Sequence, residues 1–317
     1  MGRIALDIVV IICSHRRAAD LSRCLRSIAA AEGRHRVSVL ACVNETSAAD
    51  YRQVVDACQA ADPAATFLHV PTLGLSHARN AGLAAARGAD WAVFLDDDVT
   101  VPADWPVTLS NALAAAGSNI GVVTGRVLPA WEGRAVHSPQ WRMLLSLVED
   151  TRGVTGAVVP GVGAFFCVRP GIGPALQGFD GGLGRSGRNL LGAEESLLFH
   201  RVADRGMALR FDPSTEVLHH IPRGRCSWRW LVRRAYWEGV TQHYLQTRHG
   251  QAPRPLATAL SWPKSVAKGL LFLATLRIDF LVAALWHVGF AVSGPRGPQA
   301  APGLAGGIGQ SVDLRTP

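Results

Sequence analysis

Short apolar segments alternate with longer amphipathic segments through the first 130 residues of the chain. The short segments are rich in Val, Ile and Phe, which predicts strands at 5–13, 37–43, 66–70, 91–95 and 120–127. Between them, apolar residues recur at helical spacing, which predicts helices at 20–31, 48–60 and 76–87. This order predicts an α/β fold in which helices flank a mixed, mainly parallel, doubly wound sheet.

The pattern is less regular after residue 129. Glycines punctuate an apolar stretch at 153–169 and, together with arginines, fill a loop at 181–192. Regular elements then resume, and we predict a helix at 194–204, short strands at 208–211 and 216–220, and a basic, aromatic helix at 228–244. We expect one folded unit at 1–250, with a first half at about 1–128 and a second half at about 129–250.

The segment 264–292 is strongly apolar, but Lys268, Arg277, Asp279 and His287 interrupt it. Its uncharged runs are shorter than the roughly 20 residues that a membrane-spanning helix needs. We therefore expect an apolar helical tail at 251–293 that forms an interfacial hairpin or an amphipathic pair and associates with a membrane. Residues 294–317 are rich in Gly and Pro and are expected to be disordered.

Composition and charge narrow the class of protein. With 48% hydrophobic and 18% charged residues, the chain can bury a core and is not a disordered polymer. The net charge of +8 favours an anionic partner, which nucleic acid, a phosphorylated substrate or an anionic membrane would each satisfy. The six cysteines form no CxxC pair, and the N-terminal segment lacks the cleavage site of a signal peptide. We expect a reducing, cytoplasmic location.

Three consecutive carboxylates, Asp96, Asp97 and Asp98, end the predicted strand at 91–95. Grouped like charges are electrostatically costly unless a cation lies nearby. Carboxylate oxygens are preferred ligands of Mg²⁺ and Mn²⁺, and open α/β sheets bind ligands at the carboxyl ends of their strands. The position favours a metal and diphosphate site, although an isolated Asp triplet is more often a solvated turn that caps a helix.

Further motifs occur in an order that extends this interpretation. In chain order they are Ser14-His15-Arg16 after the first strand, Asn44-Glu45 after the second, the segment Gly74 to Gly82, the acidic triplet, the stretch Gly161 to Arg169, and the pairs Glu194-Glu195 and His219-His220. Together they resemble the motifs of family 2 glycosyltransferases, which have the GT-A fold, over most of residues 5–245. The resemblance implies inverting transfer of a sugar from a nucleotide-diphosphate donor to a hydroxyl acceptor, in the synthesis of a cell-envelope polysaccharide, glycolipid or glycoconjugate.

The resemblance assigns the first half of the unit to the nucleotide sugar. The implied contacts are Ser14, His15, Arg16, Asn44, Glu45, Arg79, Asn80, Asp96 and Asp97. Asn44 stands where the family usually has Asp, so its contact with the base lacks a charge unless Glu45 compensates. From the residues alone, Arg79 near a helix N-terminus suits a phosphate or a carboxylate equally well.

The resemblance also implies a divalent metal, Mn²⁺ or Mg²⁺. The family's metal-binding Asp-x-Asp corresponds to Asp96 and Asp98, and His219 is a further candidate ligand. Which two of the three aspartates bind the metal, and which one contacts the ribose, stays open.

The second half of the unit is expected to hold the acceptor and the catalytic base. Glu195 corresponds to the family's base, with one methylene more than the usual Asp, and Glu194 is the alternative. A carboxylate at this position can take the proton of the acceptor hydroxyl as the diphosphate leaves. Without the other motifs, both would be interpreted as exposed acids in a first helical turn.

Further residues are expected to contact the acceptor or the donor diphosphate. These are Gly163, Arg223, Arg225 and Trp228, with Arg233 and Arg234 in the same basic, aromatic segment. Arginine suits bidentate binding of phosphate, and a small residue lets a sugar approach the backbone.

Two other functions fit the sequence less well. A dinucleotide-dependent oxidoreductase would need a Gly-x-Gly-x-x-Gly turn after the first strand, where the chain has Cys13 to Arg17. A non-catalytic nucleic-acid- or membrane-binding protein would leave the ordered acidic motifs unexplained. We therefore expect a nucleotide-sugar donor, a glycan, lipid-linked or small-molecule acceptor, no nucleic acid, and peripheral contact with the inner face of the plasma membrane.

Overall fold

The strands of the protein form one mixed sheet. The computed structural model describes residues 6–149, 163–172, 178–185, 190–248 and 255–293. The strands within these residues are β1 (Ile8–Ser14), β2 (Ser38–Val43), β3 (Thr66–His69), β4 (Trp91–Asp96), β5 (Val99–Thr100), β6 (Ile120–Trp131), β7 (Phe165–Val168) and β8 (Ala208–Ile221). Their order in the sheet is β3-β2-β1-β4-β7-β6-β8-β5.

Helices connect and flank these strands. They are α1 (Ala18–Ala29), α2 (Ala48–Cys58), α3 (Leu75–Ala85), α4 (Trp105–Ala114), α5 (Pro139–Leu144), α6 (Glu194–Ala203), α7 (Trp228–Arg248), α8 (Pro255–Thr275) and α9 (Ile278–Val292). Short 3₁₀ turns lie at Arg34–Arg36, Pro170–Ile172 and Arg223–Cys226. The predicted α/β fold with helices around a mixed sheet is confirmed.

The central strands are buried on both faces, which explains their continuous apolar sequences. In β4, Trp91, Val93 and Leu95 enter the core on one side of the sheet, whereas Ala92 and Phe94 enter the core on the other. Successive side chains of a strand point to opposite faces, so a strand covered by helices on both sides needs apolar residues throughout.

Successive strands are added first on one side of β1 and then on the other. The chain passes from β1 to β2 and β3 on one side, and then crosses to β4 on the other side of β1. Both β2 and β4 pair in parallel with β1, and Cys13 lies opposite Asp96 in the register of β1 and β4. The crevice at the carboxyl ends of such strands is where open α/β sheets bind ligands.

The structure corrects the predicted elements at several positions. The two short strands expected at 208–211 and 216–220 are one strand, β8, because it pairs with β6 on both sides of a register irregularity. β5, α4 and α5 were not predicted: β5 is only two residues long, and the two helices begin at Trp105-Pro106 and at Pro139. Proline fits the first turn of a helix but interrupts the periodicity by which helices are recognised in sequences. The expectations for 153–162, 186–189 and 294–317 lie outside the described residues.

The C-terminal apolar segment forms a pair of helices, as predicted. α9 packs closely on α7, where a Cβ added to Gly289 would lie 2.0 Å from the carbonyl oxygen of Tyr236. In the same contact, a Cβ added to Gly239 would lie 1.9 Å from the carbonyl oxygen of Trp286. None of the helices in the described ranges has the length and hydrophobicity required to cross a membrane.

Candidate functional site

A cavity of about 720 Å³ opens at the carboxyl ends of β1, β2 and β4, where the order of the strands reverses. The residues that line it are Cys13, Ser14, His15, Arg16, Arg17, Asn44, Leu73, Gly74, Leu75, Ala78, Asp96, Asp97, Arg185, Leu190, Arg225, Trp230, Arg233 and Arg234. Nine of the residues named from the sequence are among them: Ser14, His15, Arg16, Asn44, Asp96, Asp97, Arg225, Arg233 and Arg234. The volume lies within the usual range of small-molecule sites.

The lining of the cavity is strongly cationic. Six arginines face two carboxylates there, which leaves an excess of positive charge. The arginines are Arg16, Arg17, Arg185, Arg225, Arg233 and Arg234. Guanidinium groups donate in a planar fork that matches phosphate oxygens, so the cavity suits an anionic ligand such as a diphosphate.

An arginine lies within hydrogen-bonding distance of each carboxylate of the acidic triplet. Arg79 Nη2 donates to Asp96 Oδ1 at 3.2 Å, and Arg17 Nη1 donates to Asp97 Oδ1 at 2.6 Å. Asp98 Oδ2 lies 3.1 Å from Arg17 Nη2 and 3.2 Å from Arg225 Nη2. The cations that three adjacent carboxylates require are thus provided by arginine side chains of this chain.

The two buried aspartates of the triplet differ in their affinity for protons. Burial raises the pKa of Asp97 to about 7, with a further contribution from Asp98, while Arg17 acts in the opposite direction. Burial also opposes the ionisation of Asp98, but His219, Arg225 and Arg17 together lower the pKa of Asp98 well below its usual range. Asp98 is therefore a permanent anion at the edge of the cavity.

Asp98 and His219 form a pair with the chemistry of metal ligands. β5 pairs with β8 so that Val99 lies opposite His219, and this register brings His219 Nε2 to 3.3 Å from Asp98 Oδ1. Both side chains are 3% exposed, and Asp98 Oδ1 accepts no hydrogen bond. A buried carboxylate oxygen that accepts no hydrogen bond and lies beside an imidazole nitrogen fits the oxygen and nitrogen preferences of Mn²⁺.

The three predicted metal ligands do not form one cluster. The described part of the chain contains no group of three or more His, Cys, Asp or Glu side chains that could hold a metal ion. Asp96 pairs with Arg79, whereas Asp98 pairs with His219. Mg²⁺ and Mn²⁺ are commonly held by one or two protein ligands together with substrate phosphates, so this pair remains compatible with a divalent ion.

Arg79 is buried outside the lining of the cavity and joins Asp96, which lines it, to Glu194, which does not. The guanidinium is 2% exposed, and Nη1 donates to Glu194 Oε1 at 2.7 Å. Nη2 donates to the Gly163 carbonyl at 2.8 Å in addition to its bond with Asp96. The sequence left open whether Arg79 binds a phosphate or a carboxylate, and these contacts are with carboxylates.

Glu194 and Glu195 begin α6, and the two carboxylates differ in their exposure and in their contact with Arg79. Glu194 is 4% exposed and is bound by Arg79, whereas Glu195 is 13% exposed and its Oε2 lies 3.8 Å from Arg79 Nη1. Burial and the neighbouring charge of Glu194 raise the pKa of Glu195 to about 7, although Arg79 acts against this shift. Glu195 therefore has the proton affinity expected of a base that works near neutral pH.

Side chains after β2 organise the wall of the cavity. Asn44 Nδ2 donates to the carbonyls of Val70 and Thr72, and Asn44 Oδ1 accepts from the Gly74 N–H. The neutral amide can donate and accept at once, which a carboxylate in its place would not do. Asn44 thereby fixes the loop that leads into α3.

Glu45 holds the turn after β1. Its Oε1 accepts from the backbone N–H of Arg16 at 2.7 Å and lies 3.4 Å from His15 Nδ1. Arg16 adopts a φ of 55°, in the left-handed region that non-glycine residues seldom occupy. The contact with Glu45 stabilises this conformation and directs the following residues to the cavity.

Several residues expected at the site lie outside the cavity. Asn80 is bound to the backbone of Phe179 through both its amide nitrogen and its oxygen, so it positions that loop. Arg223 Nε donates to the Glu132 carbonyl, and Trp228 packs against Trp141 with ring centroids 5.6 Å apart. Gly163 lies beneath the cavity, against Arg79.

Helix α7 brings the expected Arg233 and Arg234 to the cavity, with Trp230 there in place of the expected Trp228. Trp230, Arg233 and Arg234 are three and four positions apart, which places them on one face of the helix, whereas Trp228 lies on another. Arg17 and Arg185 also line the cavity and were not expected there. Arg17 directly follows Arg16, and that adjacency was the only sequence signal for it.

The geometry agrees with comparisons with known proteins. The model of the family described as Glycosyl transferase family 2 matches residues 9–168, half of the chain. The chain is 29% identical to the Succinoglycan biosynthesis protein ExoM of Rhizobium meliloti over 302 residues, which is 90% of this chain and 91% of that protein. It is 25% identical to a Glucosyl-dolichyl phosphate glucuronosyltransferase of Haloferax volcanii over 183 residues, 56% of this chain and 58% of that protein.

Solved structures share the fold. The mannosyltransferase PcManGT from Pyrobaculum calidifontis, in complex with GDP-Man and Mn²⁺, superposes with a TM-score of 0.59 and 19% identity, over 92% of this chain and 89% of that one. GalNAc-T7 with UDP, GalNAc and Mn²⁺ superposes with a TM-score of 0.50 and 15% identity, over 81% of this chain and 54% of that one.

Proposed function

The chain is a member of glycosyl transferase family 2, and we propose that it transfers a sugar from a nucleotide-diphosphate donor in the cavity to an acceptor hydroxyl, with inversion at the anomeric carbon. The observation that carries this proposal is the cavity at the reversal point of the sheet, where arginines surround the acidic triplet. The succinoglycan biosynthesis relative supports a role in polysaccharide or glycoconjugate synthesis.

The donor diphosphate is held by arginines of α7 and of the turn after β1. Arg233 and Arg234 line the cavity from α7, and Arg17 and Arg225 reach it beside the triplet. The last two also contact Asp98, so they can share their donors between this carboxylate and a bound diphosphate. The turn formed by Ser14, His15 and Arg16, with Asn44 behind it, forms the nucleotide side of the cavity.

Asp98 and His219 are the proposed protein ligands of a divalent Mn²⁺ or Mg²⁺, with Asp96 or Asp97 as a further carboxylate. A divalent ion held by these residues would supply positive charge that offsets the negative charge developing on the leaving group. The complexes of the two solved neighbours with Mn²⁺ support this choice of metal. The pair also has a buried carboxylate oxygen without a hydrogen bond, which is the kind of atom that binds a cation.

Glu195 is the proposed catalytic base. It accepts the proton of the acceptor hydroxyl as that oxygen attacks the anomeric carbon and the bond to the diphosphate breaks. Arg79 donates a hydrogen bond to Glu194, whereas Glu195 has a pKa raised to about 7 and can accept a proton near neutral pH. Arg79 acts as a positioning residue, because it contacts Asp96 on the donor side and Glu194 on the base side.

We propose that residues 1–250 form the transferase unit and that the chain works at the inner face of the plasma membrane through the tail at 251–293. A bilayer location would give access to lipid-linked acceptors, although the same chemistry serves a glycan or a small-molecule acceptor. The dolichyl phosphate relative acts on a lipid-linked substrate according to its name, which supports this location.

A turnover assay with matched variants tests the proposal. The full-length protein is incubated with individual nucleotide sugars, Mn²⁺ and a membrane-lipid or oligosaccharide acceptor, and release of nucleoside diphosphate is measured. Glu195→Gln should lose nearly all turnover while donor binding persists, since the base contributes roughly 10²–10⁴-fold to rate. The control is Asp50→Asn, an exposed acid in the first turn of α2, which should keep wild-type turnover. Wild-type turnover in Glu195→Gln would refute the assignment of the base.

A further inference from the structure

Exposed apolar side chains are concentrated on α8. Six of its residues are large, hydrophobic and exposed: Leu260, Trp262, Val266, Leu270, Leu271 and Leu273. Within the described ranges, no other helix or strand carries more than two. Single exposed apolar residues are ordinary on protein surfaces, but a contiguous group of them indicates a partner.

These six residues form a continuous apolar surface on one side of α8. At about 100° per residue, they occupy roughly half of the circumference, from Trp262 at one edge to Leu271 at the other. Lys264 and Lys268 follow directly beyond the Leu271 edge. A wide apolar face with tryptophan and lysine at its edges is typical of helices that lie in the interface of a bilayer.

Residues on the other side of α8 contact α9. Ser265 Oγ donates to the Ala284 carbonyl of α9 at 3.0 Å, and Lys268 Nζ lies 5.2 Å from the centre of the Phe280 ring. α9 in turn packs on α7 at Gly289. Because α7 also lines the cavity with Trp230, the apolar surface has a defined position relative to the candidate site.

We infer that the apolar surface of α8 docks on an anionic lipid bilayer. The lysines at its edge attract anionic headgroups, while Trp262, Val266 and Leu270 enter the apolar boundary. A second copy of this chain fits less well, because α8 contains no acidic residue and a symmetric pair of α8 faces would leave the lysines without partners. The inference deepens the proposed membrane location and does not depend on the transfer reaction.

Flotation with lipid vesicles tests the inference on the full-length protein. Vesicles of phosphatidylcholine alone are compared with vesicles that contain an equal share of phosphatidylglycerol. The wild type should bind the phosphatidylglycerol vesicles, and Val266→Glu/Leu270→Glu should weaken this binding by at least about tenfold because it places two charges in the apolar boundary. Met143→Glu is the matched control, since Met143, Val266 and Leu270 are each 61% exposed. This control should bind like the wild type.

Two further variants separate the apolar contribution from the charged one. Leu270→Gln removes apolar surface without adding charge, and it must also weaken binding. Lys264→Gln/Lys268→Gln should lower the affinity for phosphatidylglycerol vesicles by about fivefold per lysine and leave the weak binding to phosphatidylcholine unchanged. The donor-binding and turnover assays, run in parallel, report on the proposed transfer reaction separately.

Three results would overturn the inference. The first is a wild type that binds neither kind of vesicle. The second is a Val266→Glu/Leu270→Glu variant that binds as well as the wild type. The third is a dimer in light scattering that the same variant converts to a monomer, since the apolar surface would then bind a second copy of the chain.

Discussion

Replacing Arg79 by Met should destabilise the protein by about 3–5 kcal/mol, the usual cost of removing one partner of a buried ion pair. The Arg79 side chain is 2% exposed and the Glu194 side chain 4%, so the variant leaves the Glu194 carboxyl buried without its cationic partner. Glu194 Oε2 already has no hydrogen-bond partner, and Arg79 donates the bond to Oε1. Met has a similar length and packs against Phe166 and Phe179, which limits the contribution of a cavity.

The expected change in melting temperature follows from the length of the chain. Unfolding entropy amounts to about 2.1 cal/mol/K per residue, or about 0.7 kcal/mol/K for 317 residues. A loss of 3–5 kcal/mol therefore lowers the melting temperature by about 4–7 °C in differential scanning calorimetry. Adding Glu194→Met to Arg79→Met should recover part of this loss, because the carboxylate that Arg79 contacts most closely is then removed as well.

A partly exposed ion pair provides the control. Arg126 and Glu216 are 36% and 34% exposed, and their contact of 3.0 Å is as short as many buried ones. Arg126→Met should cost no more than about 1 kcal/mol, since solvent screens the charges. If Arg79→Met melted within about 1 °C of the wild type, Arg79 would not be a buried partner of Glu194 and the proposed link between donor and base sides would be wrong.

Three further outcomes are expected. The turnover number should rise with pH through a midpoint near pH 7, because Glu195 must be ionised to act as base and its pKa is raised to about 7. A turnover number that stays constant down to about pH 5 would exclude Glu195 as the base. Gly289→Ala should destabilise the protein by about 1–3 kcal/mol in the same calorimetry, because its Cβ would lie 2.0 Å from the Tyr236 carbonyl oxygen. Gly269→Ala is the control and should be neutral or slightly stabilising, because nothing lies within 4 Å of its Cβ. Equal melting temperatures for the two variants would contradict the packing of α9 on α7. Arg233→Gln should weaken donor binding by about tenfold or more in isothermal titration, as expected for loss of a hydrogen bond to a charged group, and unchanged affinity would remove α7 from the donor site.

The sequence predicted the elements whose pattern is local. The strand that ends at Asp96 and the turn after β1 were both identified, because continuous apolar residues and the polar residues that follow them are visible within a few positions. Adjacent parallel strands then bring these polar ends together, so the location of the cavity also followed from the strand order.

Contacts between distant segments could not be predicted in this way. Arg79 and Glu194 are 115 positions apart, and Arg17 is 80 positions from Asp97. Which arginine meets which carboxylate depends on the register of the sheet and on how helices pack over it, and the sequence pattern contains neither. For the same reason, Trp228 was expected at the site where the helical face places Trp230 instead.

The most direct test of the central claim is the binding of a nucleoside diphosphate to the cavity, measured by isothermal titration for the full-length protein with UDP and with GDP. At least one of them should bind in Mn²⁺ about tenfold or more tightly than in excess chelator, and Asp98→Asn should abolish this difference, because the variant removes the proposed anionic metal ligand. If neither nucleotide binds, if the wild-type affinity in Mn²⁺ equals that in chelator, or if Asp98→Asn keeps the full difference, the cavity is not a metal-assisted donor site.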